Sequence, residues 1–366
     1  MSNVDARIEL PQAPPPRWTR AHATLLSVSL LGATLGGGWG AHLLSRGGEH
    51  AHLALGLAAP FGLFTLAFLG GRGAVAGKAA WVLGRRADLP QQLERWGHGA
   101  SMIAMLLAVL AAAIGIVVAA AEGSRVAQAS VPALTALGAL LILLAIAGRV
   151  WVVRASLGLV RRLHTTTLAR LQADEGNVEL VLSIPDGGGV VEVPFLRGRW
   201  SGVQLDLDFR RHTQTWPQRL TVRDYTGSAE LDLGGFELCG WRSADDVETW
   251  TGDRPPLIGL IREATGSALI ADEATNARWK VWALEPGDTL YVVGDATEVQ
   301  RGFGAYRSTE STTVGSRRGA PAIAYIGEEA ELLRDLTREL RLQPLVALLA
   351  AATVLLLAWA TAILLP

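Results

Sequence analysis

The chain has 366 residues, half of them hydrophobic, with 33 Lys+Arg against 34 Asp+Glu and a single cysteine. The near-neutral total hides a division: residues 171–340 carry 17 basic and 28 acidic residues, a net of −11, whereas the remainder carries 16 basic and 6 acidic, a net of +10. Cys239 alone excludes an intrachain disulfide or a multi-cysteine metal site, and an acidic 171–340 stretch is a poor nucleic-acid partner, because phosphate neutralisation supplies most non-specific affinity.

Residues 1–20 form a polar arm with Pro11, Pro14, Pro15 and Pro16, which reads as a disordered tail. It places more than 20 residues ahead of the first apolar stretch, whereas a cleaved signal peptide needs a short basic region, a shorter apolar core and a small-residue cleavage site, so that stretch reads as a retained anchor. Five apolar stretches follow along the chain: Leu25–Leu44, Leu53–Gly70, Ser101–Ala121, Val131–Val153 and Leu345–Leu365. A transmembrane helix needs about 17–25 apolar residues, so all five qualify by length. The second holds Pro60 and runs into Gly70-Gly71-Arg72-Gly73, which leaves open whether it spans fully or is kinked and partly interfacial.

The flanking charges orient these stretches. Arg7, Arg17 and Arg20 precede the first; Arg72, Lys78, Arg85, Arg86 and Arg95 lie between the second and third; Arg154, Arg161, Arg162 and Arg170 follow the fourth. The intervening connections hold only Arg46 and Arg125. The positive-inside rule then places the N-terminus and the stretch after residue 155 in the cytoplasm, in agreement with an odd number of crossings. The expected fold class is therefore an α-helical membrane protein of about five transmembrane helices with an inserted β-rich, small-barrel-like cytoplasmic domain. A bacterial inner (plasma) membrane is the expected location. Residues 21–154 would hold four helices, 155–173 a basic neck, 174–327 the β-rich domain, 328–343 a helix and 344–366 the last transmembrane helix.

In the neck, Leu157, Leu159, Val160, Leu163, Leu168 and Leu171 alternate with basic residues, as in an interfacial amphipathic helix or a plain extension of the fourth span. Short Val-, Leu- and aromatic-rich runs then predict strands at Val178–Ile184, Val190–Val193, Val203–Phe209, Arg219–Asp224, Ala229–Leu233, Trp279–Leu284 and Thr289–Val293. Closure into a small barrel would bury one face of them and limit exposed edges. Ala244–Trp250 and Pro256–Ala264 read as short helical insertions, and Arg307–Arg318, rich in Ser and Thr, reads as a mobile loop. Glu328–Arg341 has Leu332, Leu333, Leu336 and Leu340 at helical spacing, with Pro344 separating it from the last span.

The most distinctive local signals are turns. Glu285-Pro286-Gly287-Asp288 joins two strands and Gly294 follows the second; upstream, Asp224-Tyr225-Thr226-Gly227 closes the cleanest hairpin. Together with Ala322–Gly327 leading into a helix and a final span, these segments resemble the GIDE, or beside-a-membrane, domain over roughly residues 175–366. That family is known from membrane-anchored mitochondrial ubiquitin ligases and from bacterial membrane proteins. The resemblance implies a β-rich interaction or sensing module held beside the bilayer. The ligases act through a zinc-binding RING, which one cysteine cannot supply, so ligase activity is not carried over, and the resemblance transfers no catalytic residues.

Other motifs have plainer explanations. His212 in Arg210-Arg211-His212-Thr213 reads as a solvated loop residue, and Gly187-Gly188-Gly189 as a hairpin turn in place of a phosphate loop. His50 and His52 beside Glu49 form a short cluster without thiol company. Of the six domain tryptophans, Trp200, Trp216, Trp241, Trp250, Trp279 and Trp282, the last two have opposite parity on one strand, so one of them is a candidate for exposed contact. The expectation is a membrane-anchored binding or scaffold protein with no catalytic residues, cofactor or metal, contacting membrane lipids and a protein partner. Its candidate interaction residues are Asp224, Gly227, Glu285, Pro286, Gly287, Asp288, Gly294, Trp279 and Trp282. A ligand-sensing effector is the alternative, and a membrane enzyme using Asp224 or Asp288 a weaker one.

Overall fold

Alternating burial along short strands builds the core of the β-rich part of the chain. In β4 (Arg219–Arg223), Leu220 and Val222 point inward while Arg219, Thr221 and Arg223 face out; in β5 (Ser228–Asp232), Ala229 and Leu231 repeat the pattern. The structure is a computed structural model. It describes residues 20–45, 51–71, 74–86, 103–117 in part, 125–172, 175–245 in part, 279–300, 311–316 and 322–364. These fall into a β-rich unit, from residues 75–88 and 156–335, and a helical unit from 16–74, 89–155 and 336–366.

In the β-rich unit, β1 (Val178–Ser183) pairs along its length with β9 (Thr289–Gln300), from Val178 opposite Gly294 to Ser183 opposite Thr289. On its other side β1 meets β4, β4 pairs with β5, β5 runs parallel to β10 (Ser311–Gly315), and β10 returns to β9. The five strands form a closed ring, which leaves these strands without a free edge. From β9 the sheet continues through β11 (Ala322–Ile326) to β6 (Phe236–Cys239). A second sheet has the order β3 (His212–Trp216), β2 (Gly202–Leu207), β8 (Trp279–Leu284), β7 (Ser243–Asp245).

Leu180, Leu182, Val222, Leu231, Leu290, Val292 and Val314 fill the core, joined by Trp282 and Leu284 from the second sheet. The fully buried Gln204 on β2 ties the sheets together. Its amide nitrogen donates to the carbonyls of Leu233, at 3.2 Å, and Phe236, at 2.6 Å, and its oxygen accepts from Leu238 N–H at 2.9 Å. Every polar atom of the side chain is thereby matched to backbone that would otherwise be stranded in the core.

The helical unit holds α1 (Arg20–Ser45), α2 (Ala51–Gly71) and most of α4 (Arg125–Val160) and α5 (Glu329–Leu364). α1 and α2 pack closely because Gly32, Gly36 and Gly40 line one face. A Cβ there would come within 2.7 Å of Phe61, 2.8 Å of Ala58 and 2.9 Å of Leu55. Small residues at a spacing of four allow this approach of two backbones. Farther along, Leu63, Leu66, Ala104, Ala108, Ala139, Ile142, Ile146, Val346 and Ala350 form one apolar cluster, and Arg149 pairs with the buried Glu339.

The expectation of about five transmembrane helices is overturned. Among the described residues, two helices are long and apolar enough to cross a membrane, Gln128–Val160 and Glu329–Ile363. In α1, five glycines and the polar Ser27, Ser29 and Thr34 dilute the apolar content. The apolar part of α2, Leu53–Leu69, has 17 residues, against 33 and 35 in the two crossing helices. The third stretch is described only in part, with residues 106–114 helical.

Smaller expectations also change. Helix α4 ends at Val160, and the neck continues as an irregular segment with a 3-10 turn at Leu168–Arg170. Pro344 lies inside α5, which runs unbroken through it. Residues 311–315 of the expected loop are strand β10, with Thr312, Thr313 and Val314 buried. The run Val190–Val193 makes only an isolated bridge from Val191 to Trp200. Most of the two helical insertions lies outside the described residues, although Ala244 and Asp245 belong to β7.

Candidate functional site

The β4–β5 turn is held by one carboxylate. Asp224 Oδ1 accepts from Thr226 N–H at 2.7 Å, Thr226 Oγ1 at 2.6 Å and Gly227 N–H at 2.9 Å, while Oδ2 accepts from Leu168 N–H at 2.8 Å. Ala169 N–H adds a bond to Thr226 Oγ1 at 3.1 Å, so the turn and the neck are fastened together. Partial burial pushes the Asp224 carboxyl up, but the bonds from Thr226, Leu168 and Gly227 outweigh it and hold the group below its ordinary value. Beside this carboxylate, Tyr225 is 89% exposed. A large aromatic on a turn fixed by several hydrogen bonds loses little freedom on binding, which suits it as an anchor for a partner.

Asp288 plays the same role in the β8–β9 turn. Its Oδ2 accepts from Glu285 N–H at 2.7 Å, and its backbone N–H bonds to Glu285 O at 3.2 Å. Gly287, at φ +84°, takes the left-handed conformation that a Pro-Gly turn requires, and its N–H bonds to Ile184 O at 3.0 Å. Glu285, Pro286, Gly287 and Asp288 thus join strands. Gly294 is buried in β9, where an added Cβ would lie 2.8 Å from Phe236 Cζ.

Trp282 is only 2% exposed, and its neighbours Val281, Ala283 and Leu284 are buried as well. Strand β8 is covered on both faces, so alternating parity does not bring Trp282 to the surface. Trp279 starts β8 opposite Leu207. Its side chain, like Trp241, Trp250 and the Glu49–His50 pair, lies outside the described residues. His212 begins strand β3, where sequence suggests a loop.

A second constellation was hidden in the basic segment after α2. Helix α3 (Ala74–Arg86) belongs to the β-rich unit, with Ala79, Ala80, Val82 and Leu83 buried. The α4 residue Ser156 donates from Oγ to Ala80 O at 2.5 Å. Lys78 Nζ reaches Asp206 Oδ2 at 2.8 Å and sits 3.5 Å from the centre of the Trp282 ring. Arg86 makes a forked pair with Asp295 at 3.2 and 3.0 Å and donates to Asn177 Oδ1 at 2.8 Å. The Arg86 and Asp295 side chains are 2% and 7% exposed. These cations therefore neutralise part of the acidic domain, a use that flanking position alone does not reveal. The opposite charges of the two parts of the chain were the one signal pointing to it.

No group of three or more His, Cys, Asp or Glu among the described residues could hold a metal ion. Compared with known proteins, the chain matches no family model, no curated protein and no solved structure.

Proposed function

We propose that this chain is a membrane-anchored binding protein that presents a GIDE-like β domain on the cytoplasmic side of a bacterial inner membrane and recruits a protein partner through the β4–β5 hairpin. The observation that carries the reading is Tyr225, exposed at 89% on a turn pinned by Asp224. The anchoring half rests on α4 and α5, two helices of crossing length that run without a break into and out of the β-rich unit. Arg154, Arg161, Arg162 and Arg170 supply the charge bias for a cytoplasmic domain. Lipids around the two helices are the remaining partners in this reading.

A photo-crosslinking residue in place of Tyr225, in the full chain in native membranes, tests it. The reading expects one dominant protein adduct that is absent when the same residue replaces Asp186, an exposed position on another turn. Identical adducts from both positions, or none from position 225, would count against it.

A further inference from the structure

The two crossing helices carry their own marks of where a bilayer meets them. Within the helical unit α4 and α5 run antiparallel: Arg149 pairs with Glu339, Ile142 and Ile146 share a cluster with Val346 and Ala350, and Ala129 shares one with Leu357 and Ala360. Trp151 stands two residues past Arg149 on α4 and is 53% exposed; Trp359 stands 20 residues past Glu339 on α5 and is 60% exposed. At 1.5 Å per residue their levels are about 30–33 Å apart along the pair. That is the thickness of a bilayer's hydrocarbon core, and tryptophan favours its two borders. Between Arg341 and Trp359 α5 has no charged residue, nor has α4 between Arg125 and Arg149. Leu140, Leu144, Leu345, Leu348, Leu355 and Leu356 are exposed in this band. Around the Trp151 level, Arg154 on α4 and Arg338 and Arg341 on α5 are exposed as well. Of the carboxylates on the same turns of α5, Glu339 is taken by Arg149 and Asp335 has an interaction of its own, so with Arg149 counted the level keeps a net charge of +2.

We propose that this level of α4 and α5 is a docking surface for anionic phospholipids, whose headgroups meet Arg154, Arg338 and Arg341 while their acyl chains cover the leucine band. The site presupposes the membrane anchoring proposed above and adds the class of lipid that gathers there. A guanidinium fork matches two phosphate oxygens, and cations at a membrane surface attract anionic headgroups. The exposed leucines select lipid over a soluble acidic partner, which would meet the arginines and leave the leucines in water. The opposite end of the pair carries Arg125 alone, at the first turn of α4, so the attraction is concentrated in one leaflet.

Electron spin resonance on the full chain in phosphatidylcholine vesicles, with a trace of spin-labelled phosphatidylglycerol or of spin-labelled phosphatidylcholine, tests the site. Lipid held at the protein surface should favour phosphatidylglycerol by about threefold or more in the wild type. In Arg154→Gln/Arg338→Gln/Arg341→Gln the excess should fall below about half, and about 0.5 M salt should weaken the wild-type preference in the same direction. Arg199→Gln/Arg223→Gln, which removes two exposed arginines of the β-rich unit, should keep the wild-type ratio. Equal association of the two lipids, or a loss no greater in the helix variant than in this control, would overturn the proposal and leave the anchoring in place. Alkaline extraction of the same vesicles reads the anchoring separately, and release of the chain would overturn both. Held lipid of neither kind, with copies of the chain cross-linking through Leu348→Cys, would give the leucine band to a second copy and overturn the proposal.

Discussion

Replacing Arg86 by Met measures how firmly α3 belongs to the β-rich unit. The Arg86 and Asp295 side chains are 2% and 7% exposed and share two hydrogen bonds, so losing the guanidinium strands a carboxylate away from water. Breaking a buried pair from one side costs about 3–5 kcal/mol, whereas removing both charges together is often close to neutral. Asp295 also accepts Asn177 N–H at 2.9 Å, so its replacement must keep an acceptor, and Asn does. At about 2–4 °C per kcal/mol for a unit of this size, Arg86→Met should lower Tm by about 6–20 °C. Arg86→Met with Asp295→Asn should recover most of that loss. Thermal unfolding of the full chain in detergent, followed by tryptophan fluorescence, reads the change, and about 0.5 M salt should affect it little because the pair is buried. A drop below about 2 °C, or a double variant no better than the single one, would refute the reasoning.

Asp224→Ala should cost about 1–3 kcal/mol, because one carboxylate serves several donors. Since the folded pKa of Asp224 is lowered, its contribution is present above the unfolded value of 3.8 and is lost as pH falls through the folded value. Denaturation midpoints of wild type and variant should therefore converge in acid. Gly294→Ala should destabilise by about 1–3 kcal/mol, because the new Cβ meets the Phe236 ring and the Gly315 carbonyl. Gly227→Ala, with nothing within 4 Å of an added Cβ, should stay within about 0.5 kcal/mol in the same assay. Gly36→Ile should part α1 from α2, since even a Cβ there lies 2.8 Å from Ala58, and disulfide cross-linking between cysteines placed on the two helices should fall.

How much of this was legible depended on whether a segment's signal was local. β1, β4, β5 and β8 carry their own apolar runs and turn residues, and they lie where sequence puts them. β10, with Ser311-Thr312-Thr313, looks like a polar loop and becomes a buried strand only because β5 and β9 flank it. Closure of the ring by β1 and β9 joins residues more than a hundred positions apart, which no periodicity encodes. The crossing helices were over-counted because length was given more weight than the glycine and polar content of α1 or the shortness of Leu53–Leu69. Asp224 and Asp288 were legible as turn residues, and the structure shows which amides each one holds. Arg86 and Lys78 were read as flanking charges because their carboxylate partners are supplied by distant strands. Exposure of Tyr225 had no sequence signal beyond its place in a turn.

Quantitative co-purification from native membranes, comparing the full chain with its Tyr225→Ser variant, bears most directly on the central claim. The substitution alters an exposed side chain and leaves the Asp224 hydrogen bonds in place, so folding and membrane insertion should match. The account expects at least one protein to fall about tenfold or more in the variant, the loss of roughly 1.4 kcal/mol or more of binding energy. Equal recovery of every associated protein from both chains would contradict it.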